Sequence, residues 1–507
     1  MPTPIRSVTM LAAVVAATLA AHLAALPAAG AAGERDITVA QGIDAEFLDV
    51  QMTNNIVTLI INGSIYDTLL TRDKSLAIQP RLATSYKLVG DRMWEVKLRR
   101  GVKFHNGEPF DAEAVKFSVE RIQRPDFKSP QKGWFSTIER VEIVDPATVR
   151  FHTKVPDPAM PARMTLMYQM APKYVAQVGD AQANLKPVGT GPFKFVEWQK
   201  NERIVVEAND AHWTGKPAVR RATWRPIPEL GARIAALQTG QADLIVNVPP
   251  DQLPMLAATK SVRVEKIPSC RIISFQIAQI KGGPLADKRV RQALNYAVDM
   301  QGILDAVLLG NGKRINSWMP PNVWGHDPSI PFYEYDPKKA KELLAAAGQT
   351  NLTLTLQAPN GRWAMDKDIA QAVAGQLTEN GIKTNVKIIG EWGAYVRSIL
   401  DHKTEDIAMA GWCLPSLEPD HWVTPNLKTG EAVSQYSNPE VDKLMDQARA
   451  EMNPDKRKQL YSQLLRVIRD EAPYIFGYQQ MDIYGVNKRL KWTPRGDESI
   501  RLTEIGF

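Results

Sequence analysis

Alternation of apolar and polar residues marks several strands along the chain. Trp94, Val96 and Leu98 are separated by charged residues, and this period of two predicts a strand with one buried face. Residues 149–151 repeat the pattern, and residues 37–40 predict a further strand near the start of the polar sequence. These segments indicate sheets whose apolar faces lie in a core.

Apolar residues at helical spacing mark a second set of segments. Val115, Val119 and Ile122 follow Asp111, which predicts an amphipathic helix with an aspartate at its N-terminal cap. The apolar run at 56–70 also predicts one helix. Segments of this kind cover the faces of sheets.

Strands and helices alternate in the second half of the chain. Asp287, Asp336 and Asp366 stand at the start of predicted helices. The segments 352–356 and 386–389 predict strands between and after them. Alternating units of this kind predict an α/β fold with a sheet covered on both faces.

The first 31 residues predict a secretory signal peptide. Arg6 is the only charge before a long alanine-rich run, and residues 29–31 (Ala-Gly-Ala) offer a cleavage site. A membrane anchor is the alternative, but the run contains Pro27 and no positive flank follows it. No cysteine follows the run, so a lipoprotein is not expected. We therefore expect cleavage near Ala31 and a periplasmic location.

Composition and charge narrow the classes of partner. The chain has 507 residues, 44% of them hydrophobic, which is enough for several domains with large cores. The net charge of +7 comes from Lys and Arg spread from end to end rather than gathered in one patch. Nucleic-acid binding is therefore not expected.

Candidate chemistry is sparse. Cys270 and Cys413 suggest a disulfide in an exported chain, with two free thiols as the alternative. The seven histidines show neither metal-ligand spacing nor a hydrolase motif, so we expect no metal, no cofactor and no catalysis. Ser416, Asp420 and His421 lie close together in sequence, and we interpret them as a polar loop; a secreted hydrolase is a remote alternative.

Six segments occur in the order found in a known family, including GTGPF at 189–193. The others are 82–86, 94–107, 110–118, 209–217 and 284–294. With them the chain resembles the extracytoplasmic solute-binding proteins of the dipeptide, oligopeptide and nickel type (family 5), which serve ABC importers. The resemblance covers essentially the whole chain after the signal peptide.

The resemblance implies a two-lobed α/β periplasmic binding protein (type II, cluster C-like) with an extra N-terminal subdomain and a hinge of two crossings. Lobe I is expected from 32–75, 190–269 and 480–507, the extra subdomain from 76–189, and lobe II from 270–479. The resemblance also implies a monomer that closes on a small-molecule ligand and delivers it to an inner-membrane ABC permease complex.

The resemblance assigns roles to four residues. A cysteine pair of the family corresponds to Cys270 and Cys413, which implies a disulfide between them. Arg362 stands where a family arginine can hold a ligand carboxylate. Pro415 stands where an aspartate receives the ligand amine, so a peptide, an N-blocked peptide, an opine, a sugar acid and a chelate all stay open.

The other candidates for ligand contact lie in segments near the family's cleft: Asn54, Trp363, Trp392, Tyr395, Trp412 and Glu418. For Trp392 and Tyr395, core packing is an equal alternative. The expected function is a periplasmic substrate-binding component that captures a peptide-like solute with an acidic group. The alternatives are a carrier of a metal chelate or of an opine or sugar, and a binding protein that feeds a sensor.

Overall fold

The computed structural model of the protein describes residues 33–413 and 416–507. The expected signal peptide and Pro415 lie outside the described residues. The strands are β1 (Asp36–Gln41), β2 (Leu70–Arg72), β3 (Ile78–Pro80), β4 (Ala83–Val89), β5 (Met93–Leu98), β6 (Ile138–Asp145), β7 (Thr148–Thr153), β8 (Phe193–Gln199), β9 (Arg203–Ala208), β10 (Arg221–Pro226), β11 (Leu244–Ile245), β12 (Val262–Ile277), β13 (Gly312–Arg314), β14 (Thr353–Pro359), β15 (Lys383–Ile389), β16 (Ile407–Trp412) and β17 (Tyr474–Asn487).

The helices follow the predicted α/β alternation. They are α1 (Ile56–Asn62), α2 (Ala112–Gln123), α3 (Met160–Met164), α4 (Pro172–Leu185), α5 (Leu230–Gln238), α6 (Leu253–Ala258), α7 (Lys288–Tyr296), α8 (Met300–Val307), α9 (Pro337–Ala346), α10 (Asp366–Glu379), α11 (Trp392–Leu400), α12 (Asp420–Leu427), α13 (Pro439–Ala450) and α14 (Pro454–Glu471). The aspartates predicted as caps of α2, α7 and α9 each accept hydrogen bonds from backbone N–H groups of the first turn.

One mixed sheet runs through both lobes of the molecule. Its strand order is β15-β14-β16-β12-β17-β11-β1-β10-β9-β8, with β13 paired to β17. The β14 pairings with β15 and β16 are parallel, as are those of β1 with β10 and β11. Helices α7, α8 and α10 pack on the lobe II part of the sheet and form a continuous apolar core with it.

Two long strands connect the lobes. β12 has 16 residues and β17 has 14, and they pair antiparallel over most of their length. At about 3.3 Å per residue, β12 extends roughly 50 Å. Near Ile272 it pairs with β16 of lobe II, whereas β17 pairs with β11 of lobe I near Gly485. These strands are the extended crossings at which the lobes can hinge, and the exact domain boundaries stay predictions.

A separate four-stranded sheet, β4-β5-β7-β6, lies within the segment expected to form the extra subdomain. Trp94, Val96 and Leu98 are buried on β5, as their alternation predicts. Helix α2 packs against this sheet through Val115, Val119 and Ile122, which are all buried. The strand and the helix that these two periodicities predict therefore pack in one core.

The prediction of a single helix over 56–70 is wrong. Helix α1 ends at Asn62, and Leu70 already belongs to β2. The carbonyl groups of Ser64 and Ile65 accept hydrogen bonds from the N–H groups of Phe193 and Gly191, at 2.9 and 2.8 Å. Those carbonyls are thus unavailable to a continuing helix.

The GTGPF turn makes a close approach that only glycine permits. A Cβ atom at Gly189 or Gly191 would lie 2.1 or 2.5 Å from backbone atoms of Ile65. This contact holds the turn against the chain that follows α1. Among residues 33–413 and 416–507, no helix is long and apolar enough to cross a membrane.

Candidate functional site

A cavity of about 350 Å³ lies between the loop that precedes α1 and the strand ends of lobe II. Residues 52–56 and Glu46 line one side of it. The other side is formed by residues near the ends of β14 and β16 and by α11, and Arg271 from β12 lines the cavity as well. The cavity is therefore built from both halves of the chain, as a site that closes around a ligand requires.

The loop that carries Arg362 is organised by a buried carboxylate. β14 ends at Pro359, and the side chain of Asp366 accepts hydrogen bonds from the N–H groups of Gly361, Arg362 and Trp363, at 3.0, 2.8 and 3.1 Å. Burial raises the pKa of Asp366 in spite of these bonds. The backbone of the loop is therefore held in one shape at the point where Arg362 leaves it.

The guanidinium of Arg362 lines the cavity without a counter-ion. It lies 5.3 Å from the ring centre of Trp392 and 5.7 Å from that of Trp363. Among the described residues, no carboxylate oxygen lies within 4.0 Å of it, and its Nε has no hydrogen-bond partner. Burial and the neighbouring Arg271 lower the pKa of Arg362 to about 10, so it stays protonated at neutral pH. A desolvated cation of this kind favours binding of an anion.

Aromatic side chains form a wall of the cavity beside Arg362. Trp392 and Tyr395 stack with their rings 5.6 Å apart, and Trp363 meets Trp392 edge to face at 5.9 Å. The Tyr395 hydroxyl already donates to the Met409 carbonyl at 2.5 Å. Tyr395 therefore supports Trp392, while the tryptophans offer apolar surface to a ligand.

The end of β16 is held at the cavity by two further contacts. Cys413, which also lines the cavity, is joined to Cys270 by a disulfide with a Cα–Cα distance of 5.3 Å. Trp412 donates from Nε1 to the His421 carbonyl at 2.8 Å. Both contacts fix the strand end that faces the loop before α1.

An ion pair between Arg271 and Glu498 at the site was not predicted from the sequence. Arg271 is bound to Glu498 by two hydrogen bonds, at 2.7 and 2.6 Å, although the residues are 227 positions apart. Arg271 and Arg362 also line a neighbouring cavity of about 50 Å³ with Glu498 and Asp482. Burial, and then Glu498, raise the pKa of Asp482 to about 7. The one signal for this pair in the sequence is that Arg271, a charged residue, stands directly before an apolar stretch of β12.

The other sequence-predicted residues divide into two groups. Asn54 lines the cavity and is exposed. Glu418 does not line it; Glu418 is buried and paired with Arg457. The expectation that Glu418 contacts the ligand is therefore not supported, because its carboxylate is already used inside the protein. Glu46 also lines the cavity, although it is not among the ligand contacts predicted from the sequence.

The polar residues after β16 do not form a catalytic triad. The Ser416 hydroxyl lies 2.7 Å from His421 Nδ1, but His421 Nε2 faces the guanidinium of Arg163 at 2.9 Å. Burial and Arg163 lower the pKa of His421 to about 3. A triad needs a carboxylate behind the histidine, whereas here Asp420 binds Arg163.

A comparison with protein families decides the classification. Residues 77–434 match the family described as bacterial extracellular solute-binding proteins, family 5 Middle. The chain belongs to this family. Members of the family bind small ligands, work with ABC permease complexes and are not enzymes. The two-lobed α/β fold and the solute-binding function that the sequence predicted are confirmed.

Individual members of family 5 are similar to this chain over most of its length. Glutathione-binding protein GsiB of Salmonella choleraesuis (strain SC-B67) is 30% identical over 481 residues, covering 90% of this chain and 91% of the relative. DppA from Helicobacter pylori, in complex with the peptide STSA, superposes with a TM-score of 0.86 at 26% identity, covering 93% and 98% of the two chains. The oligopeptide-binding protein AppA from Bacillus subtilis, in complex with a nonapeptide, gives 0.84 at 26% identity, covering 93% and 98%.

Proposed function

We propose that this chain captures a small peptide-like solute with a carboxylate group and presents it to an ABC permease. The observation that carries the proposal is the Arg362 guanidinium, which faces the cavity without a counter-ion among the described residues. The planar guanidinium can donate two parallel hydrogen bonds to one carboxylate. The names of the relatives, which bind glutathione or peptides, support the same class of solute.

Capture by hinge closure follows from how the cavity is built. Its walls belong to both lobes, and the lobes are joined by the long strands β12 and β17. A solute that contacts both walls binds the closed form better than the open form, and it therefore shifts the balance toward closure. The permease then distinguishes the loaded protein by the relative position of its lobes.

The cellular setting of the proposal comes from the first 31 residues. We expect the signal peptide to be removed near Ala31 and the mature protein to act as a soluble periplasmic monomer without a lipid anchor. N-terminal sequencing of the protein from the periplasmic fraction checks the cleavage site. A mature chain that still begins at Met1 would contradict this part of the proposal.

The binding experiment compares two arginine variants by isothermal titration calorimetry with glutathione and the peptide Ser-Thr-Ser-Ala. Arg362→Gln removes the free cation of the cavity, whereas Arg397→Gln removes an arginine on α11 whose side chain is 70% exposed. Loss of a desolvated charged contact costs about 2–5 kcal/mol, so we expect Arg362→Gln to weaken binding at least 30-fold. We expect Arg397→Gln to bind like the wild type. Equal affinity of wild type and Arg362→Gln would contradict the proposal.

A further inference from the structure

The cavity contains two charged groups that lack a partner of opposite charge. Three charged residues line it among the part of the chain that the structure describes: Glu46, Arg271 and Arg362. Arg271 is neutralised by Glu498 through two hydrogen bonds of 2.7 and 2.6 Å. One carboxylate and one guanidinium are therefore left for a ligand.

The Glu46 carboxylate is held in position by neutral groups. The Thr53 hydroxyl donates to Oε2 and the Asn55 side-chain amide donates to Oε1, each at 3.0 Å. The Asn55 side chain also accepts from the N–H of Val57 at 3.0 Å, as the cap of α1, which fixes the orientation of its amide. Within residues 33–413 and 416–507, no Lys, Arg or His nitrogen lies within 4.0 Å of Glu46. Glu46 is exposed to solvent, so its negative charge is positioned by these bonds without being paired to a cation of the described residues.

Glu46 and Arg362 interact across the cavity without touching. Burial and Arg271 lower the pKa of Arg362, whereas Glu498, then Asp366 and then Glu46 raise it. The two groups nevertheless form no ion pair within 4.0 Å. Both groups line the same cavity, and the tryptophan wall lies beside Arg362.

We infer that the solute is a zwitterion whose carboxylate pairs with Arg362 and whose ammonium group pairs with Glu46; this inference rests on the proposed function. Such a solute neutralises both groups at once, which neither an anion nor a cation can do. Glu46 lies in the loop between β1 and α1, whereas Arg362 follows β14 in lobe II. One molecule then connects the two lobes through its opposite charges, so its ammonium group contributes to closure as well as to selection.

The test uses two pairs of probes: Ser-Thr-Ser-Ala and glutathione, each with a free amine and as the N-acetyl derivative. Calorimetric titrations compare the wild type with Glu46→Gln, Arg362→Gln and the control Glu342→Gln. Glu342 lies on α9, outside the cavity, with a side chain that is 65% exposed. A lost charged hydrogen bond corresponds to about a 10- to 100-fold change in affinity. We expect the wild type to prefer the free-amine probes by this factor.

The variants are expected to respond differently to the two kinds of probe. Glu46→Gln should weaken the free-amine probes about 10- to 100-fold and leave the N-acetyl probes unchanged or tighter, because a repulsion is removed. Arg362→Gln should weaken all four, and Glu342→Gln should weaken none. Melting temperatures of Glu46→Gln and Glu342→Gln should agree, since glutamine can keep the contacts with Thr53 and Asn55.

Two groups of outcomes separate the inference from the proposed function. Equal wild-type affinity for free-amine and N-acetyl probes, or an equal loss for both kinds in Glu46→Gln, overturns the zwitterion inference. Weakening of all probes in Arg362→Gln would still support the proposed function in that case. Absence of binding to all four probes, or binding that is insensitive to Arg362→Gln, contradicts the proposed function itself and the inference with it.

Discussion

Arg121 is a buried cation that holds the ligand-facing loop before α1 against the extra subdomain. Its side chain is fully buried on α2 and forms ion pairs with Asp49 at 2.5 Å and Asp180 at 2.9 Å. It also donates to Gln51 Oε1 at 2.7 Å, and Asp49 in turn accepts from the N–H of Gln51 at 3.0 Å. Arg121 therefore supplies the charged contacts of the loop that continues to residues 52–56 of the cavity, beside neutral hydrogen bonds from Ser129 and Gln131.

The Arg121→Met variant should lose about 3–5 kcal/mol of unfolding free energy, because Asp49 stays fully buried without its cation. Arg124→Met is the matched control: Arg124 binds the same Asp180 at 2.8 Å, but its side chain is 40% exposed, so we expect a loss of at most about 1 kcal/mol. Urea unfolding at pH 7, followed by tryptophan fluorescence, measures both. Adding Asp49→Asn to Arg121→Met removes the stranded charge and should recover part of the loss.

The stability that the pair of Arg121 and Asp180 contributes depends on pH. Burial would raise the pKa of Asp180, but its hydrogen bond and ion pair with Arg121 leave that pKa lowered. The stability from this pair is present above the pKa of unfolded aspartate and is lost as the pH falls. The difference between wild type and Arg121→Met should therefore shrink toward pH 3. A loss in Arg121→Met no larger than in Arg124→Met, or a less stable double variant, would refute this reasoning.

Two further predictions concern the surroundings of the cavity. Gly411→Ala places a Cβ atom 2.5 Å from the Trp363 ring, so it should lower the free energy of unfolding by about 1–3 kcal/mol and weaken ligand binding. Gly375→Ala on α10 has open space around it and should do neither. Thermal melts and titrations compare the two variants, and equal melting temperatures would contradict the packing argument. Asp482→Asn should gain stability relative to the wild type from pH 5 to pH 7. The reason is that the pKa of Asp482 is raised to about 7, so the wild type loses stability as the pH rises from the pKa of unfolded aspartate toward that value. A constant difference in urea unfolding across this range would contradict the prediction.

Much of the fold could be predicted from local patterns. Alternation identified β5 and β7, and aspartate caps placed α2, α7 and α9, since these signals lie within a few residues of one another. The end of α1 could not be predicted in this way. It depends on hydrogen bonds from the GTGPF turn, more than 120 positions further along the chain. A helical pattern alone contains no information about such a partner.

The residues of the candidate site could likewise be predicted only in part from the sequence. Arg362 and the tryptophans could be proposed because a family resemblance placed them near the cleft, and all of them line the cavity. The pair of Arg271 and Glu498 joins distant parts of the chain, so no local motif marks it. Glu418 was expected at the ligand because it is acidic and near β16, but Arg457 of α14 binds its charge inside the protein.

Native mass spectrometry on protein purified from cells without denaturation tests the central claim most directly. We predict that the wild type and Arg397→Gln carry one small solute with a carboxylate group, and that Arg362→Gln has lost it. A co-purifying solute without an acidic group, or one that Arg362→Gln retains as fully as the wild type, would contradict the assignment of this cavity to a carboxylate-bearing solute.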